Sequence, residues 1–229
     1  SDTDYDGYAE KIEVLLNKQD RPHGILLHDG FLYIAEETLL SRYAYNERLG
    51  EQEKLLNFPK GGRHFTRSLA TRNGKLFISV GSSCDTCLED DERYATVIES
   101  NLDGTEPRVY ASGLRNAVFI KINEYTGELF ATEMGRDHLG DDLPPDEINI
   151  IKEGRGYGWP YCYGKQVYDT EFGGVNNCTK SESSFIDLPA HVSPLGFTFV
   201  PNSWGEEYAG DLLVAYHGSW NRTVPVGYK

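Results

Sequence analysis

Apolar positions in this chain come in short runs that alternate with polar ones and stop at Gly, Asn or Asp. Stretches with a 3.6-residue repeat are nearly absent. Residues 10–16 would pass for a helical turn, but Ile12, Val14 and Leu16 equally mark an alternating strand. The pattern predicts an all-β chain. Four segments share one grammar, a turn ending in glycine and then a short strand: Asp29-Gly30-Phe31-Leu32-Tyr33-Ile34-Ala35, Asn73-Gly74-Lys75-Leu76-Phe77-Ile78-Ser79, Thr126-Gly127-Glu128-Leu129-Phe130-Ala131-Thr132 and Ala209-Gly210-Asp211-Leu212-Leu213-Val214-Ala215. A second strand precedes each turn, at residues 24–27, 67–70, 118–121 and 196–199. The Asp-Gly, Asn-Gly and Thr-Gly pairs predict tight two-residue hairpin connections.

The glycines of this repeat lie 44, 53 and 83 residues apart. A period near 44 with four strands per unit is the signature of a β-propeller blade. A β-sandwich would not repeat one motif in register. The longest step predicts a loop insertion at about 159–188. The whole chain, 1–229, reads as a single propeller domain of about four blades, cut within the fourth and so incomplete at its C-terminal side.

The repeat also predicts where polar residues meet. In a blade the innermost strand and its neighbour are antiparallel, so the loop entering the first and the loop leaving the second share one face near the axis. The entering loops carry His23, Arg63, His64, Arg67, Arg115, Asn116 and His191. The leaving loops carry Glu36, Glu37, Ser82, Ser83, Glu133, Arg136, Asp137 and His217. Four of the six histidines thus fall at equivalent places. A funnel of His, Arg, Asn and carboxylates suits an anionic cofactor or a polar substrate.

Charge narrows the partners. The formal net charge is −14, which repels nucleic acid and anionic lipid. The hydrophobic fraction of 39% is enough for a core, so global disorder is excluded. No run approaches the roughly 18 apolar residues of a membrane span. No Arg- or Lys-led apolar leader opens the chain. Cys84, Cys87, Cys162 and Cys178 form an even set. Cys84-Asp85-Thr86-Cys87 has the spacing of a metal or redox motif, yet no second pair at similar spacing completes a zinc site, and acidic residues follow it. The other reading is two disulfides, Cys84–Cys87 and Cys162–Cys178, in a periplasmic or secreted protein. Asn177-Cys178-Thr179 and Asn221-Arg222-Thr223 match the N-glycosylation pattern.

Seven motifs run in order from about residue 21 to the end: Gly62-Arg63-His64-Phe65-Thr66-Arg67-Ser68-Leu69, Ser79-Val80-Gly81-Ser82-Ser83-Cys84, Ala111-Ser112-Gly113-Leu114-Arg115-Asn116, Met134-Gly135-Arg136-Asp137, Asp146-Glu147-Ile148-Asn149, Gly156-Tyr157-Gly158-Trp159-Pro160 and His217-Gly218-Ser219-Trp220-Asn221-Arg222. Together they resemble the soluble quinoprotein sugar dehydrogenases, the glucose/sorbosone dehydrogenase family, with the sorbosone-dehydrogenase-like members nearest. The resemblance implies a six-bladed propeller, of which this chain would be about two thirds. It implies two cofactors, pyrroloquinoline quinone (PQQ) and calcium. It also implies a sugar substrate oxidised at its anomeric carbon by hydride transfer, and a soluble electron acceptor.

The family's general base is a histidine and matches His64. A neutral imidazole accepts protons well near pH 7. Arg67 and Arg115 are expected beside it and are grouped with it as catalytic. Arg115 and Asn116 match the family's cofactor-contacting pair, and His191 and His217 match further cofactor contacts, where Lys is commoner at the latter. Better-known members orient the base with an aspartate; here Ser82 or Ser83 takes that place, with Asp85 slightly beyond. The carbonyls of Gly135 and Arg136 match the ligands of the catalytic calcium. Glu147, Tyr157 and Tyr163 match a second, structural calcium site, since calcium takes hard oxygen ligands. Arginines that clamp the PQQ carboxylates in the family's last blades have no counterpart before Lys229. Two other classes compete. One is a non-redox calcium-binding propeller, for which His64 and Arg115-Asn116 would have no use. The other is a calcium-dependent lactonase, which would line the axis with carboxylates and asparagines rather than His and Arg.

Overall fold

The computed structural model describes residues 3–46, 48–174 and 178–228; the Asn177 pattern lies outside them. Four antiparallel units follow one another like segments of a fan. The first is β1 (Gly24–His28), β2 (Phe31–Ala35), β3 (Leu39–Asn46) and β4 (Arg48–Asn57), in that order. The second holds β5 (Leu69–Arg72), β6 (Lys75–Val80), β7 (Thr96–Asn101) and β8 (Arg108–Ser112). The third begins with β9 (Ile120–Ile122), β10 (Leu129–Glu133) and β11 (Asp146–Ile151). The chain then returns to the second sheet, where β12 (Arg155–Gly156) pairs parallel to β8. A small hairpin of β13 (Cys162–Tyr163) and β14 (Val167–Tyr168) follows, and β15 (Ile186–Leu188) completes the third sheet against β11. The fourth unit is two-stranded, β16 (Pro194–Phe199) and β17 (Leu212–Tyr216). The four expected units are therefore present as three full sheets and the inner pair of a fourth, in a propeller fold.

Strand alternation builds the fan. Along β6, Leu76, Ile78 and Val80 point into the core shared with the first sheet, with Tyr33, Leu40 and Phe58. Phe77, between them, points the other way, into a core with Val97, Tyr110, Ile120 and Leu129. Likewise Leu129 and Ala131 of β10 join that second core, while Phe130 joins Ile148, Phe197 and Phe199 in a third. A strand buried on both faces reads as one continuous apolar run, although alternate residues serve different cores. At the two ends of the fan, Ile25 and Leu27, and Leu195 and Leu213, are exposed.

The tight turns form where both turn residues tolerate positive φ. Asp29 and Gly30 have φ of 47° and 75°, and Asn73 and Gly74 have 53° and 73°. These are the primed turns that match the twist of flanking strands. The Thr126-Gly127 expectation fails. β9 ends at Ile122, which pairs with Leu129, leaving a six-residue connection. The Asn123 side chain stabilises it by accepting from the Tyr125 N–H at 2.9 Å. Gly210 ends a still longer loop containing a 3-10 turn at Asn202–Trp204. Both expected disulfides are formed, Cys84–Cys87 and Cys162–Cys178, and so the C-x-x-C pair binds no metal. The second closes the insertion beside the β13–β14 hairpin.

Candidate active site

His64 does not open the inner strand as expected; it sits five residues ahead of β5, in an extended stretch. The Arg63 and His64 N–H groups donate to the carbonyls of Ser83 and Ser82 at 2.7 and 3.3 Å. This pairing lays the imidazole against Ser82. Nδ1 of His64 lies 2.8 Å from Ser82 Oγ and 3.2 Å from Ser82 O. The Ser82 hydroxyl spends its one hydrogen on the Cys84 carbonyl at 2.6 Å. Both atoms facing Nδ1 are therefore acceptors, Nδ1 carries the proton, and Nε2 keeps its lone pair. Ser82 rather than Asp85 orients the ring. Burial, with the positive charges of Arg115 and Arg63, pushes the His64 pKa down to about 3.

Gly81 lets the ring lie here. A Cβ at this position would stand 2.5 Å from His64 Cβ and 3.0 Å from Asn116 Oδ1. Gly81→Ala should displace His64 together with its backbone, at a cost of roughly 1–3 kcal/mol in stability. A shift of ~1 Å at a reacting group can cost roughly 10²-fold. Equal activity in the folded variant would show that the placement of His64 is not critical.

Behind the histidine runs a chain of alternating charges. Arg63 Nη2 donates to Asp137 Oδ2 at 2.6 Å. Arg115 Nη2 donates to Asp85 Oδ1 at 2.5 Å and stands 3.6 Å from Asp137 Oδ2. Arg115 Nε donates to the Asp85 carbonyl at 2.9 Å and Nη1 to the Met134 carbonyl at 3.0 Å. Asp85 Oδ1 also accepts the Asp137 N–H at 3.1 Å. Burial works against ionised Asp85, but Arg115 and that N–H hold its pKa below the usual range. Burial outweighs Arg115 at Asp137, whose pKa is raised. Asp85 rides on the four-residue loop closed by Cys84–Cys87, so the disulfide fixes both the partner of Arg115 and, through the Cys84 carbonyl, the partner of His64. This network was not evident in the sequence; only its members' charge signs were.

Arg63, His64, Asn116, Asp146, His191 and Asn221 line a funnel of ≈ 210 Å³. His191 Nε2 donates to the Gly140 and Leu143 carbonyls at 2.9 and 3.0 Å, which leaves Nδ1 to accept from the Asn221 amide at 3.3 Å. The same amide donates to Asp137 Oδ1 at 2.8 Å. Asn221 is therefore a component of the funnel. Asp146, pushed up to about 6 by burial, accepts the N–H groups of Gly135 and Ser193 at 2.9 and 2.8 Å. Asn116 Oδ1 and Asn221 Oδ1 are buried without a partner.

Of the residues expected to be catalytic or cofactor-binding, two stand apart, and His23, Glu36 and Glu37 do not line the funnel either. His217 is exposed in an adjoining recess with Tyr228, on the far side of Met134 and Trp220. Arg67 does not line the funnel. It is fully buried, donates from Nη1 to the His64 and Thr66 carbonyls at 3.1 and 2.8 Å, and lies over the Phe58 ring. It braces the loop that holds His64 from behind, because a strand position that faces the neighbouring sheet cannot also face the axis.

The expected calcium residues gather at a second, smaller cavity of ≈ 20 Å³, room for one ion or water, lined by Glu133, Gly135, Arg136, Glu147, Tyr157 and Tyr163 among others. Glu133 and Glu147 face each other across β10 and β11. Burial, with repulsion from Glu147, holds the Glu133 pKa well above normal. Burial, with repulsion from Asp187 and Asp146, pushes Glu147 up to about 7. Glu147 accepts from the Gly164 N–H at 2.5 Å and the Asn149 amide at 2.9 Å. Among the described residues, no hydrogen bond reaches the carbonyls of Gly135, Arg136 or Tyr157. The Tyr157 phenol points elsewhere, donating to the Ile150 carbonyl at 2.6 Å. The Arg136 side chain holds Asp169 of the insertion through Nη1 at 3.0 Å.

The sequence profile of the family described as Glucose / Sorbosone dehydrogenase matches residues 34–216. An uncharacterized protein of Borreliella burgdorferi is 32% identical over 242 residues, which cover 96% of this chain and 62% of that protein. The chain thus spans less than two thirds of that relative. The holo form of the pyranose dehydrogenase PQQ domain from Coprinopsis cinerea superposes with a TM-score of 0.85 at 20% identity, covering 99% of this chain and 67% of that one. The calcium structure of a Trichoderma reesei protein of Carbohydrate-Active Enzymes Family AA12 gives 0.81 at 22% identity, covering 94% and 66%. At such identities the superpositions speak for the propeller fold; the profile match over most of the length goes further, and this chain belongs to the glucose/sorbosone dehydrogenase family.

Proposed function

We propose that this chain carries the reaction centre of a PQQ- and calcium-dependent dehydrogenase that oxidises an aldose at its anomeric carbon. The observation that carries this reading is the unprotonated Nε2 of His64 in a polar funnel, with Nδ1 committed to Ser82. The residues fit the reacting end of the cofactor: Asn116 Oδ1 is buried and unpaired, and the Gly135 and Arg136 carbonyls stand free for a hard cation. Bound there, PQQ would supply the hydride acceptor and calcium the Lewis acid that polarises it.

His64 takes the proton of the anomeric hydroxyl at Nε2, and Ser82 holds the ring while it becomes charged. Asn116 offers its free oxygen to a second hydroxyl. Arg115, already held by Asp85 and two carbonyls, positions the loop and lowers the basicity of His64 rather than clamping an anion. The disulfides support an oxidising compartment, periplasmic or secreted. The electrons would pass to a soluble acceptor.

A second reading, a calcium-binding propeller without redox activity, draws support from the pairing of Arg63 and Arg115 with Asp137 and Asp85, which neutralises the cations near the funnel. One experiment separates the two. The protein is titrated with PQQ in the presence of calcium by calorimetry, and an aldose is then added while quinone absorbance is followed. Binding with reduction supports the dehydrogenase; no PQQ binding, with calcium binding retained, hands the site to the second reading.

A further inference from the structure

Among the described residues, a groove of ≈ 650 Å³, larger than the funnel, lies on the outer half of the second sheet. Its size is typical of ligand clefts, which run roughly 300–1,000 Å³, whereas the funnel falls below that range. Strand register puts both on the same face. Val80 pairs with Thr96, Thr96 with Ser112, and Ser112 with Gly156. The ends of β6, β7, β8 and β12 therefore form one row running outward from the axis, and Ser112, Gly113 and Gly156 floor the groove. The ≈ 20 Å³ cavity lies between the two, sharing Gly113, Trp159 and Pro160 with the groove and Arg115 and Gly135 with the funnel. The Trp159 indole N–H donates to the Asp85 carbonyl at 3.3 Å, the same carbonyl that accepts from Arg115.

Resting on the sugar-dehydrogenase reading above, we propose that this groove binds the further units of an oligosaccharide whose terminal unit occupies the funnel. The chemistry of the walls selects this ligand. Trp159 and Tyr161 present half-buried aromatic surface on either side of Pro160, and the C–H face of a pyranose carries the positive edge that an aromatic face attracts. At Gly156 an added Cβ would meet only Ser112 Oγ, at 3.8 Å, so a flat ring can approach the backbone there. The Lys180 ammonium and the Tyr161 hydroxyl have no partner among the described residues and can meet sugar hydroxyls. Glu89 is spent on the Ser83 N–H and hydroxyl, at 2.8 and 2.5 Å, so it does not demand a cationic ligand. A polyanion meets a net charge of −14.

The test reads binding alone, on protein without PQQ or calcium. Methyl glycosides of maltotetraose and cellotetraose, and of glucose, are titrated by calorimetry; their blocked anomeric carbon cannot be oxidised. At least one tetrasaccharide should bind roughly tenfold or more tightly than methyl glucoside. Tyr161→Ala and Lys180→Ala should each remove most of that gain and leave methyl glucoside unaffected. Lys180 is exposed, so its variant keeps the fold even if the Tyr161 variant does not. Equal affinity for tetrasaccharides of both linkages and the monosaccharide, or a gain that survives Lys180→Ala in folded protein, overturns the proposal. Since no cofactor is present, failure here is distinct from failure to bind PQQ, which would overturn the dehydrogenase reading instead.

Discussion

His64→Asn should lower aldose oxidation by roughly 10²–10⁴-fold, the contribution of a positioned general base, while PQQ and calcium bind nearly as before. An Asn amide can still donate toward Ser82, but it offers no basic lone pair in place of Nε2. The loss should appear in kcat rather than in KM, because the proton moves only on the way to the transition state. Full activity in this variant, or a loss confined to cofactor binding, would remove His64 from the role of base. A second measurement is independent of turnover. The His64 pKa is pushed from 6.5 to about 3 by burial and by Arg115 and Arg63, so in protein free of ligands its NMR signals should stay those of the neutral, Nδ1-protonated ring until strong acid. Between those values the folded state binds fewer protons than the unfolded one. The stability due to His64 is therefore complete above about pH 6.5 and is lost as pH falls. Arg63→Gln should raise this pKa. An ordinary titration near pH 6.5 in the unaltered protein would mean that the funnel is wetter than its geometry implies.

Calcium at 100 times its dissociation constant should stabilise the protein by about 2.7 kcal/mol, a rise in melting temperature of roughly 5–10 °C, and Glu147→Gln should abolish most of it. The physical reason lies in the strand register that sets Glu133 directly against Glu147. Two carboxylates opposed in a buried site repel each other and pay for lost hydration. With Asp146 at about 6 and Glu147 at about 7, the folded apo-protein holds protons that the unfolded chain releases near pH 4. Its stability therefore falls as pH rises through that window. A cation in the ≈ 20 Å³ cavity replaces those protons, so the calcium-dependent rise should be larger at pH 8 than at pH 5. Glu147→Gln should also flatten the pH dependence of the apo-protein. A calcium response that is unchanged in this variant would move the ion to another place.

Much of the architecture was legible before any coordinates. The recurrent glycine turns and apolar runs announce an all-β propeller because a blade needs four short strands joined by tight connections, and Asp29-Gly30 and Asn73-Gly74 form the expected turns. Thr126-Gly127 reads the same way yet lies in a longer loop, since pairing of Ile122 with Leu129 left residues over. His64, Asn116 and His191 were placed in one funnel by the repeat alone. That reasoning failed for His217, which is exposed in an adjoining recess, and for Arg67, which belongs to the same loop as His64 but faces the neighbouring sheet, because one residue of slip in extended chain reverses a side chain.

The spacing of the glycine turns was enough for the fold class, and seven motifs in order were enough for the family; most residues that match the family's site then gather in the funnel and the small cavity, but not Arg67 or His217. The surroundings of each member depend on how the sheets pack. The proton on His64 Nδ1 depends on where the Ser82 hydroxyl spends its hydrogen. The neutralisation of Arg115 depends on Asp85, 30 residues away, being carried to it by a disulfide-closed loop. The groove beside Trp159 depends on β12 returning to the second sheet after the chain has already built most of the third. Hydrogen bonds and ion pairs act over about 3 Å, and contacts between residues distant in sequence exist only once the sheets have packed.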